Sequence, residues 1–304
     1  MPHNGCSNCK NMESLSYNIG GLHIRFSGSR SLSWLQQSDA FSPFYIKETT
    51  PCNHHIYLDE LGLTAQAAID TASSFIPIHT FTLQDGTPCR WGKTGNSYLF
   101  EMDTPEQAMR IRMEDGHNAY ATEFHSPFHL TFGIWMVFNY FTATMQQVCI
   151  HSSCISLHGK SILFLGESGS GKSTQSRLWQ QCFPETELLN DDGPVLSAVD
   201  GRYHAFGSPW SGKTACYKQM HAPVTAFVKV VQAQENRISP LPVAAAVATL
   251  LAAFPPALCR EQKYSELYLD LISGLLRQAT VYRLECRPDE AAALLCHRTI
   301  FETT

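Results

Sequence analysis

A chain of 304 residues with 44% hydrophobic and only 16% charged residues is long enough for two domains and too apolar to be disordered. A formal net charge of −5 and the lack of any basic tract exclude a nucleic-acid footprint. Eleven cysteines without small-domain spacing, and no apolar signal segment at the start, read as reduced thiols in a cytosolic protein.

The first residues are small and polar and carry Cys6-Ser7-Asn8-Cys9. A zinc site there would need Cys52, His54 or His55 to complete it, and a redox pair would need a thioredoxin-like context. Neither is evident, so the segment reads as a loose terminus. From Tyr17 to about Glu123 the pattern is strand-like. Leu22–Phe26, Tyr98–Met102 and Arg110–Met113 alternate, and Asn118–Thr122 follows Asp115-Gly116, a good hairpin turn. Arg90–Asn96 reads as a strand end plus a turn. Scattered histidines of this half (His54, His55, His79, His117, His125 and His129 among them) lack metal-ligand spacing. Residues 1–130 therefore read as a small β-rich domain with a binding or assembly role, and 131–304 as a second domain.

Leu130 to Ile150 carries no charge and is long enough to span a bilayer. Its Asn139, Gln146, Gln147 and threonines, with no flanking Lys/Arg cluster, make it instead a buried junction helix over 130–148. No membrane association is expected. Cys149–Leu157 is a β-type run containing His151, closed by a turn at His158-Gly159-Lys160.

Ser161–Leu165 is a short apolar strand. Gly166-Glu167-Ser168-Gly169-Ser170-Gly171-Lys172-Ser173 then fits G-x-x-x-x-G-K-[ST] at every fixed position, and a helix opens around Thr174. The glycines let backbone approach phosphates closely. The loop amides and the helix N-terminus direct partial positive charge at an anion. Lys172 would reach the β- and γ-phosphates and the Ser173 hydroxyl would bind Mg²⁺. Glu187–Asp192 is a strand ending in two acids. Beside a phosphate loop, Asp191 and Asp192 read as groups for Mg²⁺ and base chemistry rather than as an Asp-Asp-Gly turn.

Pro194–Ala198 and Tyr203–Phe206 form a hairpin closed by Asp200-Gly201. It leads into Gly207–Thr214, where Trp210, Ser211 and Lys213 either present a ring, amides and a cation to a substrate or form a tight loop with a packing Trp. Val224–Val231 is a strand. Arg237, just after it, reads as a phosphate clamp or a solvated turn residue. Val243–Phe254 and Ser265–Gln278 are helices, Thr280–Cys286 is a strand, and Pro288-Asp289-Glu290 opens a last helix.

Residues 149–304 resemble the catalytic domain of HPr kinase/phosphorylase, a P-loop fold shared with phosphoenolpyruvate carboxykinases. His151 lies fifteen residues before Gly166, the loop matches G-[DE]-S-G-x-G-K-S, and a strand ending in Asp191-Asp192 follows. The ending Val281–Asp289 looks like that of HPr-kinase-like bacterial proteins. The resemblance implies an α/β (α+β) P-loop catalytic domain preceded by the β-rich one. It implies ATP or another nucleotide with Mg²⁺, Lys172 on phosphates, Ser173 and Asp192 at the metal, and Asp191 as base with His151 orienting it. It also implies a homo-oligomer. The family's E-[IL]-R-G-[LI]-G segment has no counterpart and the Gly207–Lys213 loop stands near its place, which argues against HPr itself as substrate. The expected function is a Mg²⁺-dependent kinase acting on a hydroxyl of a peptide, protein or small molecule. The alternative is a catalytically silent nucleotide-binding or peptide-binding regulator.

Overall fold

The computed structural model describes residues 13–47, 50–59, 75–105, 107–212 and 214–302; Cys6, Cys9 and Lys213 lie outside them. The chain is mixed α and β, with two large sheets. It divides into two units, one holding residues 1–18, 23–38 and 45–134, the other 19–22, 39–44 and 135–304. Among the described residues no helix is long and apolar enough to cross a membrane.

Among the described residues the first unit carries nine strands: β1 (Glu13–Ile19), β2 (Leu22–Gly28), β3 (Tyr45–Ile46), β4 (His54–Tyr57), β5 (Phe75–Thr82), β6 (Pro88–Thr94), β7 (Ser97–Asp103), β8 (Ala108–Glu114) and β9 (Asn118–Ala121). Their order is β3-β1-β2-β4-β9-β8-β7-β6-β5. The alternation seen in the sequence is the pleat: Ile24, Phe26, Ile56, Ile111, Met113, Phe100 and Trp91 are all buried. The turn predicted at Asp115-Gly116 forms, with both residues at positive φ. Two features escaped the sequence reading. The pairs β2–β4 and β4–β9 are parallel, and alternation along one strand carries no information about its neighbour's direction. The Ser-rich stretch Arg30–Gln36 is a helix, α1, held by burial of Leu32 and Leu35 on one face.

This unit carries two acid-sensitive imidazoles. His54 is pushed down from 6.5 to about 4, by burial and then by His117. His55 falls likewise to about 4, by burial and then by Arg25. The unfolded chain takes up protons here between about pH 6.5 and 4 that the folded chain refuses, so this stabilisation is complete above 6.5 and lost as pH falls towards 4. Melting temperature is expected to drop between about pH 7 and pH 4, and the drop should be smaller in the His54→Gln/His55→Gln double variant.

The second unit carries β10 (Val148–Cys149), β11 (Ser152–Leu157), β12 (Lys160–Leu165), β13 (Glu187–Asp192), β14 (Val195–Val199), β15 (Arg202–Phe206), β16 (His221–Gln232), β17 (Arg237–Pro240) and β18 (Thr280–Cys286). The sheet is mixed: β12, β16 and β18 run parallel, while β11 pairs antiparallel with both β12 and β13. Every residue of β12 after Lys160 is buried, the pattern of a strand covered on both faces. On one face α3 (Lys172–Cys182) and α7 (Glu290–Phe301) bury Leu178, Trp179, Ala293 and Cys296 against Ile162, Phe164, Val228 and Val230. Asp289 caps α7 by accepting from the Ala292 amide. The remaining helices are α4 (Val243–Ala252), α5 (Pro256–Cys259) and α6 (Gln262–Leu276).

The junction helix differs from expectation. It is α2, Pro127–Thr142, followed by a short 3-10 turn at Ala143–Met145. Gln146 in the left-handed region ends it, and buried Asn139 uses its side chain to receive the amide of Cys149 at 2.9 Å, where β10 begins. Arg237 is on a strand rather than in a turn, opposite Glu285 of β18, and is exposed. The nine described cysteines are all free.

Candidate active site

The stretch that fits G-x-x-x-x-G-K-[ST] folds as a strand, a turn and a helix. β12 ends at Leu165, residues 166–171 turn, and α3 begins at Lys172 with Gly171 as its cap. Gly166 has φ +141, and a Cβ there would lie 2.6 Å from Ser170 Oγ and 3.1 Å from the Val230 carbonyl oxygen. A side chain there would be strained by the backbone and crowded by both groups. Glu167, Ser168 and Gly169 form an exposed crest, while Ser170, Gly171 and Thr174 are half-buried.

Lys172 is buried, and its Nζ donates to the carbonyls of Gly166 (2.8 Å) and Glu167 (3.1 Å). It also lies 3.0 Å from His151 Nε2. An ammonium only donates, so Nε2 accepts and the imidazole proton sits on Nδ1, which is 3.0 Å from Asp192 Oδ1. Burial lowers the Lys172 pKa from its ordinary value, and Asp192, then Asp191, oppose that shift. The result is a chain from Lys172 through His151 to Asp192.

The two acids are separated by the pleat. Ser153 pairs with Asp191 and Ser152 with Asp192 across β11–β13, and consecutive residues point to opposite faces. Asp191 turns towards α3, where Ser173 Oγ donates to its Oδ1 at 2.9 Å, and only 5% of it is exposed. Asp192 turns the other way, to His151, with 47% of its side chain exposed. His151 therefore reaches Asp192, where the family resemblance had implied Asp191. A hydroxyl and a carboxylate in contact, Ser173 and Asp191, are the hard oxygen donors that Mg²⁺ takes. Among the described residues no group of three or more His, Cys, Asp or Glu is arranged to hold a metal ion.

Asp192 has φ +141, a conformation that side chains other than glycine's rarely adopt. The 211–212 segment holds it there. Ser211 forms an isolated bridge to Asp192, and the Gly212 amide donates to the Asp191 carbonyl at 2.6 Å. Such strain costs about 1–3 kcal/mol and collects at functional sites. Asp192→Ala keeps the strain and Asp192→Gly releases it. The Gly variant is expected to exceed the Ala variant in urea stability by about 1–2 kcal/mol, after glycine's own entropic cost. Equal stabilities would show that no strain is stored there.

Asn190, which sequence reasoning passed over, fixes the loop after β15. It is fully buried; its Oδ1 accepts from the Gly193 amide, and its Nδ2 lies 3.3 Å from the Ser208 carbonyl and 3.4 Å from that of Cys216. Gly207 packs against the Lys218 carbonyl so closely that a Cβ would lie 1.9 Å from its oxygen. The loop 207–212 is thereby pressed against the end of β13. Trp210 is buried and its ring packs on Phe138 at 4.9 Å, which is the packing role, not the presenting one. Ser211 Oγ lies 2.6 Å from the Thr214 carbonyl and 3.2 Å from that of Asp191. The sequence signal available for Asn190 was its place directly before the acid pair.

No protein-family model matches the chain. No curated protein sequence matches it either.

Proposed function

We propose that the second unit is a nucleotide-dependent kinase of the HPr kinase type, transferring a γ-phosphoryl group to a hydroxyl on a peptide, protein or small molecule. The observation that carries this reading is Asp192. It is half-exposed, strained, and held by a histidine that also touches the lysine of the phosphate loop. The loop amides and Lys172 bind and orient the triphosphate. Ser173 and Asp191 would hold Mg²⁺, which when bound neutralises charge on the phosphates. Asp192 takes the proton of the acceptor hydroxyl, and His151, donating from Nδ1, fixes the carboxylate's direction. The roles of the two acids are thus exchanged relative to those implied by the family resemblance. An acceptor can approach Asp192, whereas Asp191 is buried with one oxygen engaged by Ser173.

The test is to incubate the purified protein with Mg²⁺ and γ-labelled ATP, with and without cell extract. Label is expected to move to an alkali-labile or acid-stable phosphoester on the acceptor. Tight ATP binding with no transfer to any component would overturn the kinase reading in favour of a silent nucleotide-binding regulator.

A further inference from the structure

The crest of the phosphate loop is fastened by a residue from a different strand. β16 and β18 run parallel to β12, so their C-terminal ends lie at the edge of the sheet where the loop begins. Leu165, the last residue of β12, pairs with Lys229 of β16. Gln232 is three residues further along, roughly 10 Å at about 3.3 Å per residue. Val228 and Val230 point into the core beneath α3, and the period of two puts Gln232 on that same face, level with the loop. There its Nε2 donates to the Gly169 carbonyl at 2.9 Å.

The peptide between Gly169 and Ser170 is then held at both ends. Its oxygen accepts from Gln232 and its N–H, that of Ser170, donates to the Glu167 carbonyl at 3.1 Å. Glu167 in turn receives Lys172 Nζ on the same oxygen. A carbonyl at the crest of an anion cradle is a liability, because rotating that peptide would aim negative partial charge at the phosphates. We propose that Gln232 is a positioning residue of the phosphate loop: it draws the Gly169 carbonyl aside and so preorganises the crest for a polyphosphate. The proposal rests on the nucleotide-binding reading of the loop, but its structural half can be measured without nucleotide.

The experiment compares wild type, Gln232→Leu and Gln232→Glu by hydrogen exchange of the nucleotide-free protein and by titration with MgATP. Gln232 is exposed, so both variants are expected to keep the wild-type melting temperature. Losing one neutral hydrogen bond should lower protection of the Ser170 amide by about three- to tenfold in Gln232→Leu. Gln232→Glu, which faces a carboxylate to the carbonyl, should lose more. MgATP affinity should fall in the same order, with the transfer rate at saturating ATP changed by less than about twofold, since Gln232 touches no reacting atom. Unchanged Ser170 exchange in Gln232→Glu would overturn the proposal whatever the affinity. Faster exchange in a protein whose wild type binds no ATP would keep Gln232 as the fastening of the loop and remove the kinase reading instead.

Discussion

Asp192→Asn is expected to slow phosphoryl transfer by about 10²–10⁴-fold, the usual share of a general base, while leaving MgATP affinity nearly unchanged. The substitution keeps the size and one acceptor oxygen for His151 Nδ1, so the local packing survives. What it removes is the capacity to take a proton. Asp191→Asn is expected to act differently. Its partner is Ser173, not the acceptor, so the loss should appear as a higher Mg²⁺ concentration for half-maximal rate. Measuring rate against Mg²⁺ for both variants separates the roles. A near-normal rate in Asp192→Asn beside a dead Asp191→Asn at saturating Mg²⁺ would restore the assignment implied by the family resemblance.

The contacts of the two acids, Asp191 with Ser173 and Asp192 with His151, show where the sequence stopped being informative. The turn and helix start at 166–172 were legible because their signal is local: glycines at fixed spacing, then Lys172 and Ser173 opening a helix, all within a dozen residues. The strand ending in Asp191-Asp192 was legible for the same reason, and it forms over the residues expected, Glu187–Asp192. Which acid faces which partner is not local. It depends on the register between β11 and β13 and on where Ser211 and Gly212 return to meet them, some twenty residues later. A register moved by one residue would turn Asp191 to His151 and Asp192 to Ser173, with no change in composition or spacing. Trp210 makes the same point from the other side. A Pro-Trp-Ser-Gly run is compatible with an offered ring or a packed one, and only the position of Phe138 decides between them. Gln232 had no sequence signal at all, since a glutamine at the end of a strand is ordinary until the loop beside it is known. In the first unit the hydrophobic alternation gave the strands, yet the parallel pairing of β2, β4 and β9 could not be inferred from any one of them.

Lys172→Ala is expected to weaken MgATP binding by roughly tenfold and to slow transfer by more, about 10²–10³-fold. The asymmetry follows from what Lys172 does before nucleotide arrives. Its ammonium already donates to the Gly166 and Glu167 carbonyls and to His151 Nε2. Binding a phosphate is therefore an exchange of partners, and the net gain is smaller than that of a new charge-assisted bond. Transfer is another matter. Charge moves onto the phosphoryl oxygens and the leaving oxygen as the reaction proceeds, and a preplaced cation acts most strongly there. The lysine is also the group that holds His151 from the far side of Asp192, so its loss frees the imidazole against the proposed base. Lys172→Arg should not restore the rate, because a planar guanidinium cannot place three donors on two loop carbonyls and a ring nitrogen as the ammonium does. Titration with MgATP and single-turnover transfer, measured on the same preparations, check both numbers. If Lys172→Ala binds and transfers like wild type, Lys172 is not a phosphate ligand and the phosphate-loop reading of 166–173 falls with it.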